Sequence, residues 1–235
     1  MNAAPVVVCA TAASYIAGWV VGLPYLVPVL NALAGYPFMI APVRRGQLRT
    51  AIGLMLVWAL SMGVFATALA YARPATTARL FLNAAAYERE MFTWVATSDG
   101  RESRPRESIP QHLGQAAVFS GLSLATGSAL SMPMGAALMN YMGHYVGALA
   151  HHGGSPWLLA AAWHPWSVIR ITSFVVLGVV LSGPVICAVG GGRWRWDGEP
   201  RRWTVLAMAG LVADVLLKAL AAPVWRHLLT SLAGW

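Results

Sequence analysis

The chain has 235 residues, a length within the range of a single domain, and is 58% hydrophobic but only 10% charged. Soluble domains carry about 25% charged residues, so this composition excludes an ordinary soluble protein. The formal net charge of +8 does not indicate nucleic-acid binding, because the arginines cluster in short loops between apolar runs. That pattern is typical of topology signals and of contacts with anionic lipid headgroups.

Apolar runs of about 20 residues recur along the chain and predict an all-α, polytopic transmembrane helical bundle, with residues 1–235 forming one integral membrane domain. We predict about six spans, at residues 6–33, 51–71, 113–131, 134–151, 166–189 and 203–224. The first segment is interrupted at Gly22 and Pro24. One long kinked helix is favoured there over two short arms, because a membrane helix tolerates proline where neighbouring helices satisfy the freed carbonyl group.

The stretch 113–152 contains no Asp, Glu, Lys or Arg. A bilayer core of ~30 Å needs about 20 apolar residues as a helix, so this stretch predicts two short spans rather than one. We expect them to be joined at Pro133, because proline lacks the N–H group and clashes with the preceding helical turn.

Residues 76–95 show a different pattern, which predicts an amphipathic helix lying in the membrane interface. Apolar residues recur there at helical spacing, namely Leu80, Ala84, Tyr87, Met91 and Trp94. Glu88 and Glu90 are two residues apart and therefore point to different sides of a helix, which favours a solvated face over a catalytic pair. Residues 98–111 follow as a polar segment. We predict a solvent loop there, with a cap over a cavity or a docking site as the alternative.

The basic loops 42–50 and 190–202 fall on one side of the membrane when six spans are counted. The positive-inside rule makes that side cytoplasmic and places both termini outside. Splitting the first segment into two arms moves the N-terminus inside and leaves the other assignments unchanged.

Asp214 and Lys218 lie within the last apolar run. An isolated charge near the bilayer centre costs ~2.5–3.5 kcal/mol on insertion scales, so such residues pair, face the bundle interior and mark function. Their four-residue spacing allows a pair within one helix, and an ion or proton relay is the alternative. Arg170 lies close enough to the interface to extend its charge towards water.

Asn140 and His144 lie among small residues in the second half of the stretch 113–152. Asn140 predicts either helix packing through an interhelical hydrogen bond or the polar lining of a substrate path. We expect Asn140 and His144 to face Asp214 on the last helix at membrane depth.

Several histidines gather near one predicted membrane surface, and imidazole is a ligand for Zn, Cu and Fe. The weak metal or haem candidates are His144, His151, His152 and His164. The sequence contains no HExxH motif or comparable close pair, so interfacial histidines are the favoured interpretation and no cofactor is strongly implied.

The leading functional prediction is a small transporter or channel, or the membrane component of a transport system, with a path lined by Asn140, His144, Asp214 and Lys218. The alternatives are a non-catalytic structural subunit of a larger membrane complex and an intramembrane metal or haem protein that uses the histidines. The residues favour a non-enzyme over an enzyme. The expected surroundings are the lipid bilayer of a bacterial inner membrane, and the expected partners are a second copy of the chain or other membrane subunits.

Overall fold

The computed structural model describes residues 3–100 and 104–235, and within these ranges the chain forms helices and no strand. The helices are α1 (Ala4–Val21), α2 (Leu26–Arg44), α3 (Leu48–Ala72), α4 (Pro74–Leu80), α5 (Ala84–Thr97), α6 (Pro105–Thr126), α7 (Ser131–Gly153), α8 (Leu158–Ala161), α9 (Pro165–Val189) and α10 (Glu199–Ala233).

Five of these helices are long and apolar enough to cross a membrane, namely α1, α2, α3, α9 and α10. The protein is therefore a helical integral membrane protein, as the composition predicts. α7 is not among these five, yet every residue from Met142 to Ala150 is buried. This part of the stretch 113–152 thus lies at the centre of the bundle.

The first apolar segment forms two antiparallel helices, so the prediction of one kinked span over residues 6–33 is wrong. Gly22 ends α1 in the left-handed conformation, with φ of 71°, and glycine adopts that conformation without the steric cost of a Cβ atom. The chain then reverses, and Asn31 of α2 donates a hydrogen bond to Ser14 of α1 over 2.8 Å.

The two basic loops lie at the same end of the bundle, as predicted, because Arg49 Nε and Glu199 Oε1 are 2.6 Å apart. We call this the basic end, comprising residues 44–49 and 190–199, and the opposite end the distal end. α2 finishes at the basic end and α1 runs antiparallel to it, so Ala4 also lies there. This is the arrangement that the two-arm alternative requires.

α6 and α7 cover the predicted spans 113–131 and 134–151, but the chain turns at residues 127–130 rather than at Pro133, and neither helix is among the five that are long and apolar enough to cross a membrane. Gly127 and Ser128 both have left-handed backbones, with φ of 58° and 68°, and they end α6. Pro133 lies in the first turn of α7, where its missing N–H group has no helical partner to lose. Gly127 lies against Val185 near the end of α9, so the turn faces the basic end.

The predicted interfacial helix 76–95 is two helices, α4 and α5, separated at residues 81–83 by Asn83 in the left-handed conformation. The apolar face of α5, with Met91, Trp94 and Val95, is buried against α7 and α10. Part of the predicted loop 98–111 is helical, because α6 begins at Pro105. Residues 101–103 of that loop lie outside the described ranges.

The predicted spans 51–71 and 166–189 agree closely with α3 and α9, whereas α10 extends past the predicted span 203–224 at both ends. α10 buries only one stripe of residues, which includes Asp214, Lys218 and Leu229. Its remaining faces are exposed and apolar, as expected of a helix in contact with lipid.

α3 and α7 cross closely because α7 has glycines at the contact. A Cβ atom added to Gly143 would lie 2.6 Å from the Ala66 side chain, and one added to Gly147 would overlap the Thr67 carbonyl oxygen. Small residues allow this backbone approach in membrane helices. One side of α7 is therefore fixed against α3.

Candidate functional site

A chain of uncharged hydrogen bonds surrounds Asn140 and joins three helices. The Tyr15 hydroxyl donates to Asn140 Oδ1 over 2.5 Å, and Asn140 Nδ2 donates to Asn31 Oδ1 over 2.9 Å. All three residues are buried. A buried polar network whose members are all paired specifies helix packing, so the interhelical-packing interpretation of Asn140 is the one that the geometry supports.

His144 is held by two side chains from α4 and α5. Its Nε2 atom lies 2.7 Å from Glu88 Oε2, and its Nδ1 atom lies 2.9 Å from Thr77 Oγ1. His144 is fully buried, whereas the Glu88 side chain is 22% exposed. The prediction that Glu88 belongs to a merely solvated face is therefore wrong, because Glu88 connects α5 to the core of α7.

The order Thr77–His144–Glu88 has the residue types of a nucleophile, a base and an orienting acid. The Thr77 hydroxyl, however, is fully buried and lies 3.1 Å from the carbonyl oxygens of both Arg73 and Pro74. No substrate reaches a hydroxyl in that position. The three residues therefore position α4 and α5 on α7.

Asp214 forms an ion pair with Arg170 of α9. Arg170 donates from Nε to Asp214 Oδ2 over 2.8 Å and from Nη2 to Oδ1 over 2.9 Å. This two-bond arrangement is the strongest form of an Arg–carboxylate contact. Arg170 therefore turns into the bundle and does not extend towards the interface. Asp214 is 1% exposed and Lys218 is buried on the same stripe of α10.

The expected meeting of Asn140 and His144 with Asp214 is not found. The polar partners of Asn140 lie on α1 and α2, those of His144 on α4 and α5, and that of Asp214 on α9. The structure thus separates the predicted path residues into distinct contacts.

A cavity of about 410 Å³ lies beside α7, between α3, α5, α6 and α9. Most of its wall is apolar and includes Met39, Met55, Trp58, Met132, Phe174 and Val179. The wall on α9 runs from Ser167 to Val179, which is about 18 Å along a helix. We call this apolar part the slot.

One end of the cavity is polar, and we call it the polar end. It is lined by Asn83, Glu90, Gln111, His112, Gln115 and Arg170. Asn83 and Gln111 are exposed, so the polar end reaches the surface of the protein between α5 and α6. Asn140, His144, Asp214 and Lys218 are not part of the cavity wall. Asp214 contacts it through Arg170.

The polar end carries charges of both signs. Glu90 contributes a carboxylate, and Arg170 contributes a guanidinium group that is paired with Asp214. His112 lies just before the predicted span 113–131, and burial lowers its pKa to about 3, with a further contribution from the charges of Arg170 and Lys218. The imidazole of His112 is therefore neutral at physiological pH.

A second, mostly apolar cavity of about 750 Å³ lies on the outside of the bundle between α3 and α9, and we call it the groove. Leu60, which lines it, is 70% exposed. The groove and the slot share three wall residues, Ala59, Met139 and Ile171. A thin wall therefore separates the inner cavity from the surface that faces lipid.

The candidate histidines do not form a metal site. His151 Nδ1 lies 2.8 Å from the Tyr71 carbonyl oxygen at the surface, and His164 stacks on Trp166 with ring centroids 4.7 Å apart. Within residues 3–100 and 104–235, no three His, Cys, Asp or Glu side chains come together in a way that could hold a metal ion. The metal and haem interpretation thus gains no support from the geometry.

Sequence reasoning predicted none of the six polar-end residues as path residues, Glu90, His112 and Arg170 included. One signal was present for Arg170, because it is the single charge in the run 166–189 and Asp214 is the acid in the next run. Opposite charges in neighbouring membrane helices favour a pair. No pattern in the sequence marks the residues of the apolar wall, because its methionines resemble ordinary core residues.

The fold and the cavity define a helical integral membrane protein with an internal amphipathic cavity. No family model, no curated protein and no solved structure matches the chain. Its function is therefore inferred from its own geometry.

Proposed function

We propose that the protein is a small membrane transport protein whose substrate occupies the cavity. The cavity carries this proposal, because it extends about 18 Å along α9 inside a bilayer core of ~30 Å. Protein interiors are close-packed and leave few voids larger than a water molecule. A long cavity inside a bundle otherwise fixed by close helix contacts is therefore a feature that binding or transport explains.

The Arg170–Asp214 pair supports the same function. Ionisable side chains within membrane helices are rare and mark substrate or ion pathways. Arg170 lines the polar end, and Asp214 behind it holds the guanidinium group in place through two hydrogen bonds. The charge thus lies where a substrate enters or leaves the slot.

Transport requires the closed end of the slot to open. Met39, Met55 and Val179 line that end and lie towards the basic end of their helices. In a transport protein these side chains become accessible from the side opposite the polar end. In a fixed binding pocket they do not.

Cysteine accessibility tests this without knowledge of the substrate. Single cysteines are placed by Gln115→Cys at the polar end and Met55→Cys at the closed end, in a background with Cys9→Ser and Cys187→Ser. A membrane-impermeant thiol reagent is added to oriented vesicles from either side. We expect Gln115→Cys to react from the distal side, and Met55→Cys to react from the basic side as well.

Leu216→Cys is the matched control, because Leu216 is exposed on a face of α10 that lies in lipid. It should react from neither side. Reaction of Met55→Cys from the distal side alone, or from neither side, would overturn the transport proposal and leave a fixed pocket.

A subunit role in a larger complex is the second candidate, and α10 is the observation that favours it. This helix has 35 residues, and only 22% of its apolar 18-residue stretch is buried. It therefore offers a long apolar surface to lipid or to another helix. Native mass spectrometry after gentle extraction distinguishes the subunit role from the transport role. A stable hetero-complex supports the subunit role, and a single chain with alternating cysteine accessibility contradicts it.

A further inference from the structure

We infer that the cavity takes a single-chain amphiphile with an uncharged, hydrogen-bonding head group, and that this molecule enters sideways from the bilayer through the groove. The inference rests on the proposed function, of which it names the substrate class and the route.

The slot fits one apolar chain. The whole cavity, slot and polar end together, has a volume of about 410 Å³, towards the lower end of the ~300–1,000 Å³ typical of small-molecule sites. Its wall on α9 is about 18 Å long, which is close to the thickness of one leaflet, half of a ~30 Å core. Methionines supply much of the wall, and their flexible side chains adapt to a chain that has no fixed shape.

The polar end fits an uncharged head group. Asn83, Gln111 and Gln115 contribute amide donors and acceptors, and the imidazole of His112 is neutral. Charges of both signs, on Glu90 and Arg170, lie beside these groups. An anionic head group would meet the carboxylate of Glu90, and a cationic one would meet Arg170. A head group of hydroxyl or carbonyl groups meets neither difficulty and uses the amides.

The route follows from the wall that the slot and the groove share. Leu60 and Val64 on the groove side are 70% and 56% exposed, so the groove faces the acyl chains of the bilayer. Of the shared wall residues, Ala59 is small and Met139 is unbranched and flexible. A rotamer change of Met139 is therefore the smallest movement that joins the two spaces. An amphiphile already dissolved in the bilayer needs no path through water.

Trp58 provides the reporter for binding, because its indole lines the slot. The probes are a monoacylglycerol with a brominated chain, and the fatty acid and the lysophosphatidylcholine with the same brominated chain. Bromine quenches indole fluorescence on contact, and subtraction of the Trp58→Phe variant isolates the Trp58 signal. We expect saturable quenching by the monoacylglycerol at a concentration at least about tenfold lower than by either charged probe, a difference of ~1.4 kcal/mol.

Equal quenching by the three probes would show partitioning without selection and would overturn the proposed head group. Stronger quenching by a charged probe, or no quenching by any, would overturn it as well.

Met139→Ala tests the route. Loss of the side chain widens the shared wall, so the quenching of Trp58 after rapid mixing with probe-loaded vesicles should become severalfold faster. Leu60→Ala is the matched control, because Leu60 lines the groove but not the slot, and its rate should equal that of the unsubstituted protein. Equal rates for Met139→Ala and the unsubstituted protein would overturn sideways access.

The two proposals fail in different ways. Saturable monoacylglycerol binding without reaction of Met55→Cys from the basic side overturns transport and keeps the ligand class. Alternating reaction of Met55→Cys without selective quenching overturns the ligand class and keeps transport.

Discussion

The two sides of α7 are built differently. Towards α3, Gly143 and Gly147 bring the two backbones into contact. Towards α6 and α9, Gly135, Leu138 and Met139 line a cavity. The same helix therefore forms a rigid contact with α3 on one side, which we call the seam, and an adaptable cavity wall on the other. The seam fixes the position of α7, and the cavity wall can adapt to a ligand.

The polar groups follow the same division. Asn140 is uncharged, fully buried and hydrogen-bonded to α1 and α2. Arg170 and Asp214 are charged and lie at the cavity. Burying an ion pair has a desolvation cost that the attraction between the charges only partly offsets. A neutral network therefore holds helices together with a smaller loss of solvation free energy. The placement of charges at the cavity indicates a use beyond packing.

Asp214→Asn should give the largest loss of stability on the cavity side. The substitution leaves the Arg170 guanidinium group, whose side chain is only 18% exposed, without a charged partner. Removing one member of a buried pair costs about 3–5 kcal/mol, and the residual exposure of Arg170 places the expected loss near the lower value. The free energy of unfolding is measured by titration with sodium dodecyl sulfate in mixed micelles.

The double substitution Arg170→Met with Asp214→Leu is the control. It removes both charges together, so most of the stability should return, while the Gln115→Cys and Met55→Cys accessibility pattern should be altered. An Asp214→Asn protein as stable as the unsubstituted one would show that water, and not Asp214, balances Arg170.

The comparison of the two sides of α7 predicts opposite effects of the same substitution. Gly147→Ala places a methyl group against the backbone of α3, 2.6 Å from the Tyr71 nitrogen, and should cost about 1–3 kcal/mol through overpacking. Gly135→Ala faces the cavity, where the nearest atom is 3.5 Å away on Phe119. It should be neutral or stabilising, because alanine favours a helix by up to about 1 kcal/mol over glycine.

Thermal unfolding of the two variants in one detergent gives the measurement. If Gly135→Ala lowers the midpoint as much as Gly147→Ala does, the cavity side is packed as tightly as the seam and the comparison fails.

Glu88 and Glu90 on α5 provide a smaller version of the same contrast. Glu88→Gln replaces a charge-assisted hydrogen bond to His144 with a neutral one, and we expect a loss of about 1 kcal/mol in the free energy of unfolding. Glu90 lies at the polar end. We therefore expect Glu90→Gln to lower the free energy of unfolding less than Glu88→Gln does, but to weaken the preference for an uncharged head group. Chemical unfolding and the brominated probes measure the two effects. Equal stability losses would contradict the assignment of Glu88 to the core contact.

The sequence predicts the long elements well where an apolar run is uninterrupted, as in α3 and α9. It fails where a left-handed residue ends a helix before a proline does, as at Gly22 and at Gly127. Proline is visible as a helix breaker in sequence, whereas the conformation of a preceding glycine depends on the tertiary structure.

The candidate site shows a similar limit. The burial of Asn140, His144 and Asp214 is predictable, because polar residues in an apolar run face the protein interior. Their partners are not predictable from periodicity, because they depend on how each helix is rotated about its axis relative to its neighbours. The slot depends on the same rotations.

His164 tests how acid affects the packed region around α7, and its expected effect is the smallest. This histidine precedes α9, stacks on Trp166 and lies beside Tyr145 of α7.

Burial lowers the pKa of His164 to about 3, with a further contribution from Arg170 and Lys218, whereas a histidine in the unfolded chain has a pKa of about 6.5. The folded state therefore binds fewer protons, so the stability that His164 contributes is complete above pH 6.5 and is lost as the pH falls towards 3. Between pH 7.5 and pH 6 the loss from this group is on the order of 1 kcal/mol. His164→Phe keeps an aromatic ring on Trp166 without a titrating group, and its unfolding free energy should fall by that much less over the same interval. An identical pH dependence in the two proteins would mean that water reaches His164 and that this part of the bundle is open.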